Sequence, residues 1–246
     1  MTNINLKILN SCSSTNDIAY AAAKKGAEEG NSYLSYDQIN GRGRNNNKWE
    51  SMKGNLFLST IIKPKKSISS WHQLSLIVGF SILSVLNDFG INRDIIELKW
   101  PNDVLIEKKK ISGVLLESSH DFIVAGIGLN ILKVPSDDIK WKTTKLYDYI
   151  DKIISLENIA LKILNKVFIN CVLWETHGFD FFYIKINPFI KNINETIIIK
   201  PSYKSILING IFLGVGENGG LKAKVNNDIV EYFSIDSFSF SKDGSA

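Results

Sequence analysis

Apolar and polar positions alternate along residues 4–9, the period of a half-buried strand. The next apolar stretch, residues 18–26, has helical spacing, with a polar start at Ser13-Ser14-Thr15-Asn16-Asp17 and a glycine stop at Gly26. Residues 32–36 read as a short strand. Residues 55–62 are apolar and β-rich enough for a buried strand that ends at Lys63-Pro64. Over residues 70–89, Leu74, Ile77, Val78, Ile82, Val85, Leu86 and Phe89 recur every three to four positions, which predicts a core helix closed by Gly90. Residues 97–117 predict a hairpin around the charged turn Lys108-Lys109-Lys110, with Pro101 marking an edge, bulge or bend. Residues 121–132 form a further strand that carries Gly126 and Gly128. Residues 133–154, with Trp141, read as a surface loop with a short helix, and residues 156–174 as a helix. His177 is then a residue of that helix's terminus rather than a base.

After Asn192 the pattern changes to short β-runs at 196–200, 205–214, 221–225 and 229–233, punctuated by Gly214, Gly216, Gly219 and Gly220. The expected class is therefore α+β: strands and helices over residues 1–193, then a small β-barrel over residues 194–246. No catalytic constellation is visible in the second part. The chain has 246 residues, 44% of them hydrophobic and 22% charged, which is ordinary globular usage. Lys+Arg 29 against Asp+Glu 25 leaves a formal charge of +4, and the basic residues are scattered rather than gathered on one arm, so a nucleic-acid reader is not indicated. Cys12 and Cys171 form no metal-ligand spacing and no disulfide framework, which fits a reducing compartment. Residues 1–10 lack the basic start and apolar run of a secretory signal, and no stretch approaches a membrane span.

Three stretches carry candidate chemistry. Gly41-Arg42-Gly43-Arg44-Asn45-Asn46-Asn47-Lys48-Trp49 joins two strands and combines backbone freedom, fixed positive charge and an aromatic face, the makings of an anion-binding loop. Ser14, Thr15 and Asn16 stand at a helix start, where they either cap the helix or receive a small polar ligand beside unpaired N–H groups. Lys110 opens an alternating strand rather than ending a turn, and Gly113 three residues later admits a ligand close to the backbone. Gly126-x-Gly128 has no third glycine and no following helix, so it is not a dinucleotide fingerprint, and no P-loop is present.

Four separated motifs, Ser14-Thr15-Asn16, Gln38-x-x-Gly41-Arg42-Gly43-Arg44 with Trp49, Lys99-Trp100-Pro101-Asn102-Asp103 with Lys110-x-x-Gly113, and Gly126-x-Gly128-x-Asn130, together resemble the biotin protein ligases. The resemblance implies a mixed β-sheet packed with helices, a catalytic domain like that of the class II synthetases, followed by an SH3-like barrel. It implies activation of biotin by ATP and Mg²⁺ to biotinyl-5′-AMP, then transfer to a lysine of a biotin carboxyl carrier domain. By motif, Ser14, Thr15 and Gln38 hold the biotin head, with Gly41, Arg42 and Gly113 near it, and Asn16 and Gly126 belong to the same ligand-binding set. Arg44 and its loop close over the adenylate phosphate, Trp49 lies against adenine, and Asn130 bonds the base. Lys110, with Arg42 and Arg44, carries the chemistry, Lys99 adds to the field, and Asp103 serves Mg²⁺ or the incoming lysine.

The chemistry agrees with those roles, because a carboxylate attacking an α-phosphate needs fixed positive charge between two anions. The expected setting is cytoplasmic, as a monomer or weak homodimer, without nucleic acid or membrane. The chain reaches Ser14 too early to hold the N-terminal DNA-binding domain of many bacterial relatives, and Asn45-Asn46-Asn47 departs from their basic or glycine residues. A lipoate or octanoate ligase or transferase of similar fold is one alternative. A non-catalytic biotin-binding or nucleic-acid-binding module is another.

Overall fold

The computed structural model describes residues 2–135, 142–202 and 206–240. Trp141 and Ser205, placed by the sequence in a loop and at a strand start, lie outside the described residues. Seven strands form the first sheet: β1 (Asn5–Leu9), β2 (Asn31–Ser35), β3 (Leu56–Ile62), β4 (Ile96–Lys99), β5 (Asp103–Ile106), β6 (Lys109–Ser118) and β7 (Ile123–Leu129), in the order β1-β2-β3-β7-β6-β5-β4. Only β1 and β2 run parallel; every other neighbouring pair is antiparallel.

The interior strand β3 is buried at every position, as its mostly apolar run predicts, with Ser59 and Thr60 the two buried polar positions. Its residues alternate between two layers. Leu56, Leu58 and Ile62 belong to the main core with α2 (Gln73–Asp88) and α3 (Leu156–His177), whereas Ile61 packs with Ala19 and Ala23 of α1 (Thr15–Lys24). One face of the sheet thus carries α2 and α3, and the other carries α1. The face shared with α1 is where the candidate residues collect.

Three local readings change. Residues 97–117 make three strands rather than one hairpin, because the chain turns at residues 100–102, with a cis Trp100–Pro101 peptide, before it turns again at Glu107 and Lys108, both at positive φ. The helix after residue 156 runs through His177, ends at Gly178 (φ +77°), and is followed by α4 (Asp180–Ile186), where Phe181 stacks on His177. The stretch before α3 is not wholly surface: Leu146 is fully buried, and Thr144 N–H donates to the Lys110 carbonyl (2.9 Å).

The last five strands, β8 (Thr196–Pro201), β9 (Ile208–Val215), β10 (Leu221–Val225), β11 (Asp228–Tyr232) and β12 (Ile235–Phe240), form an antiparallel sheet in the order β11-β10-β9-β8-β12. Its buried residues join the main core, and Trp100 Nε1 donates to the Gly219 carbonyl (3.0 Å) while Gln73 Nε2 donates to that of Asn218 (3.0 Å). The two sheets therefore share one interior.

Glu97 on β4 is half-buried, and burial raises its carboxyl pKa above the usual value, with Lys191 and Lys108 pulling the other way. Just above the usual carboxylate range, the folded chain keeps a proton there that the unfolded chain has released, so stability falls as pH rises through that window. Glu97→Gln should raise the melting temperature by a few degrees at neutral pH, and the gain should shrink on acidification. Thermal melts across mildly acidic to neutral pH test this; a gain that grew toward acid would contradict it.

Candidate functional site

The register of the first sheet aligns Phe57 on β3, Gly128 on β7, Gly113 on β6 and Asp103 on β5 in one cross-strand row. Along the neighbouring row lie Ser59, Gly126 and Leu115. The glycines leave shallow floor where other side chains would stand. A Cβ on Gly126 would sit 2.2 Å from Asn16 Oδ1, and one on Gly128 would sit 2.4 Å from the Trp49 ring, so both positions exist for the residues lying over them.

Lys110 reaches this face because of a bulge. Strands β5 and β6 pair Val104 with Ser112 but Leu105 with Lys110, so Ile111 is the extra residue and the alternation shifts by one. Ile111 is fully buried in the main core, while the Lys110 ammonium passes over Gly113, where a Cβ would stand 3.2 Å from Nζ. Nζ lies 2.6 Å from Asp103 Oδ1 and 5.4 Å from the centre of the Trp49 ring. The Asp103 contact is an ion pair without hydrogen-bond alignment, which leaves that buried oxygen without a hydrogen-bond partner among the described residues. Such an oxygen is costly to leave unmade and open to a donor or cation.

At the other end of the cavity, Ser14 occupies the N-cap of α1 in extended conformation, but its hydroxyl does not cap the helix. Instead, Gln38, arriving from the end of β2, accepts from Thr15 N–H (2.9 Å) and from the Thr15 hydroxyl (3.2 Å) through Oε1, and donates to Ser51 (3.0 Å) through Nε2. Ser59 Oγ donates to Asn16 Oδ1 at 2.6 Å. Ser14, Thr15, Asn16 and Gln38 are all buried, so this is a prebuilt polar cradle rather than a frayed helix start.

Residues 41–49 fold back as a small hairpin. Trp49 N–H donates to the Gly41 carbonyl (2.9 Å), and Gly43 N–H donates to that of Asn47 (2.7 Å). Gly41 is buried at the loop's root. Asn45 sits at the tip in the left-handed region (φ +55°), and its Nδ2 donates to the Asp236 carbonyl of β12 (2.8 Å). Arg42 stands at the rim, bonded through Nη1 and Nη2 to both oxygens of Asp17 (2.9 and 2.6 Å) and through Nη2 to Glu117 (3.1 Å). The Asp17 hydrogen bonds raise its pKa further, against burial and with help from Glu117. Arg44 turns inward. Burial lowers its pKa, and the Asp103 charge restores part of it.

These groups enclose a cavity of about 520 Å³. Ser14, Thr15, Asn16, Gln38, Arg42, Arg44, Trp49, Asp103, Lys110, Gly113, Gly126 and Asn130 all line it, as does Lys99; Gly41 lies behind the lining. Asn130 is buried with its Nδ2 already donating to the Thr144 carbonyl (3.1 Å). Sequence reasoning does not reach β12, whose Ile235, Asp236, Ser237 and Phe238 also line the cavity, so the second sheet contributes to the site after all. The alternating Phe238-Ser239-Phe240 is the signal for that strand. Nor does it single out Asp17, Ser59 or Glu117, which touch the cradle only through the fold.

Among the described residues, no group of three or more His, Cys, Asp or Glu is placed to hold a metal ion, and no helix is long and apolar enough to cross a membrane. Among the described residues, Asp103 is the carboxylate that pairs with Lys110.

A buried polar cradle is continuous with a pocket lined by Lys99, Lys110 and Arg44 under a glycine-arginine loop, a lining whose charge suits an anion. Residues 9–131 match the family model of the biotin/lipoate A/B protein ligases. The chain belongs to that family. It is 28% identical over 238 residues to the bifunctional ligase/repressor BirA of Bacillus subtilis, covering 91% of this chain and 70% of that protein. It is 30% identical over 173 residues to the biotin–[acetyl-CoA-carboxylase] ligase of Mycobacterium tuberculosis, covering 69% of this chain and 65% of that one. Among solved structures, the biotin protein ligase of Aquifex aeolicus in complex with biotin and ATP superposes with a TM-score of 0.83 at 30% identity, over 96% of this chain and 99% of that one.

Proposed function

We infer that this chain is an ATP-dependent biotin protein ligase acting on a biotin carboxyl carrier domain of a biotin-dependent carboxylase. The observation that carries the reading is the Lys110 ammonium, set by the bulge between the cradle of Thr15, Asn16 and Gln38 and the loop that holds Arg44. Its likeness over nearly the whole chain to a biotin protein ligase solved with biotin and ATP supports it.

In the first step the biotin carboxylate attacks the α-phosphorus of ATP. An O–P bond forms, the bond to the β-phosphate oxygen breaks, and pyrophosphate leaves. Lys110 faces both anions and offsets their repulsion, which grows as charge accumulates in the transition state. Arg44, held inward, adds a planar fork of donors for the phosphate oxygens. Mg²⁺ would arrive with the triphosphate and screen its charge, with Asp103 the carboxylate available to it. In the second step the amine of the acceptor lysine attacks the acyl carbon, an amide forms, and AMP departs.

Gln38, Thr15 and Asn16 supply the donors and acceptors that a cyclic ureido head needs, Trp49 gives the adenine a face, and Asn130 reads the base. The loop over residues 41–49 keeps water from the mixed anhydride. Two free thiols are consistent with a cytoplasmic setting, and monomer or weak homodimer is the assembly we assign. The test is to supply ATP and Mg²⁺ with biotin, lipoate or octanoate and to follow pyrophosphate release and labelling of a carrier domain. Biotin alone should support both. Activation of lipoate or octanoate in preference to biotin, or no activation of any acid, would overturn the reading.

A further inference from the structure

We propose that Glu117 is a positioning residue for biotin activation, a single carboxylate that ties the root of the covering loop to the floor of the cradle. The proposal rests on the ligase reading above. Glu117 lies on β6 on the same face as Gly113 and Leu115, and its two oxygens face donors on two sides. Oε2 accepts from Asn16 Nδ2 at 2.7 Å, and Arg42 Nη2 reaches Oε1 at 3.1 Å and Oε2 at 3.3 Å.

The consequence for Asn16 is orientation. Its amide stands over Gly126, with Oδ1 taking the Ser59 hydroxyl at 2.6 Å and Nδ2 committed to Glu117, so both ends of the side chain are fixed. For Arg42 the consequence is register. Held between Asp17 on α1 and Glu117 on β6, its guanidinium pins the loop one residue after Gly41. Three of its five N–H groups are thereby used, so Arg42 anchors the loop, and the charge offered to phosphate comes from Lys110 and Arg44.

The pair is partly exposed, at 37% for the Arg42 side chain and 32% for that of Glu117, so it adds little to global stability. Its effect is on where two site groups stand, which gives the test its discrimination. In Glu117→Gln the amide presents one acceptor and one donor to two neighbours that are both donors, so one tie is lost at nearly unchanged volume. In biotin-dependent pyrophosphate exchange, KM for biotin should rise about 10- to 100-fold, with a smaller change in KM for ATP and a melting temperature close to wild type. The same substitution made in an Arg42→Ala background should cost at most about a third of what it costs alone, because residues acting through one another are not additive.

An unchanged biotin KM in a folded Glu117→Gln variant would overturn the proposal. So would full additivity with Arg42→Ala, or a lowered melting temperature with unaltered KM. Wild type run alongside separates the two readings: failure of wild type to exchange pyrophosphate with biotin removes the ligase assignment, and with it the proposal. A wild type that exchanges beside an unaffected variant removes only the role of Glu117.

Discussion

Lys110→Ala is expected to lower biotin-dependent pyrophosphate exchange by at least about 10²- to 10³-fold, the usual cost of removing one donor aimed at developing charge. Two effects add. The ammonium that faces both anions is gone, and Asp103, whose Oδ1 lies 2.6 Å from Nζ, becomes an uncompensated negative charge beside the phosphate. Lys110→Arg should stay impaired, because a planar fork does not replace a compact ammonium packed over Gly113. Exchange with labelled pyrophosphate and single-turnover formation of the adenylate measure both; near-normal exchange in Lys110→Ala would remove it from the centre of the reaction.

Arg44→Gly is expected to leave adenylate formation measurable while increasing adenylate escape by about 10- to 100-fold, on the scale of a charge-assisted contact to phosphate. The loop is held at its root by Arg42 and at its tip by Asn45 on β12, so Arg44 is the inward-facing charge between two fixed points. Glycine there removes the charge and adds backbone freedom between them. Released biotinyl-AMP acylates exposed amines without selection. A bystander protein mixed with the variant, ATP and biotin should become labelled, and a carrier domain should lose its preference. Wild-type retention of labelled adenylate together with wild-type target selectivity would show that Arg44 does not hold it.

Much of the fold was legible because its elements obey simple periods. The mostly apolar run of β3, the stripe of α2 and the alternation of β10 follow from the side-chain spacing of strands and helices, and each is found where the pattern puts it. The errors fall where local pattern competes with a backbone irregularity. The turn at residues 100–102 split one expected strand into two, and α4 follows α3 after a single break at Gly178. Strand β12 carries alternating Phe238 and Phe240, yet its contribution to the cavity depends on how the second sheet docks through Trp100 and Gln73.

The glycine-arginine loop, the polar helix start and the Lys110-x-x-Gly113 spacing are properties of the sequence itself, because residue type and local spacing fix which donors, charges and glycines are available. Placing Lys110 over Gly113 instead of in the core, orienting Asn16 through Glu117, and engaging Asn45 with β12 were decided by tertiary structure. Each depends on a bulge, a cross-strand register or a contact between residues far apart in the chain: 101 positions for Asn16 and Glu117, 191 for Asn45 and Asp236. Sequence spacing carries no record of such distances, because they are set by how sheets stack and not by the period of any one element.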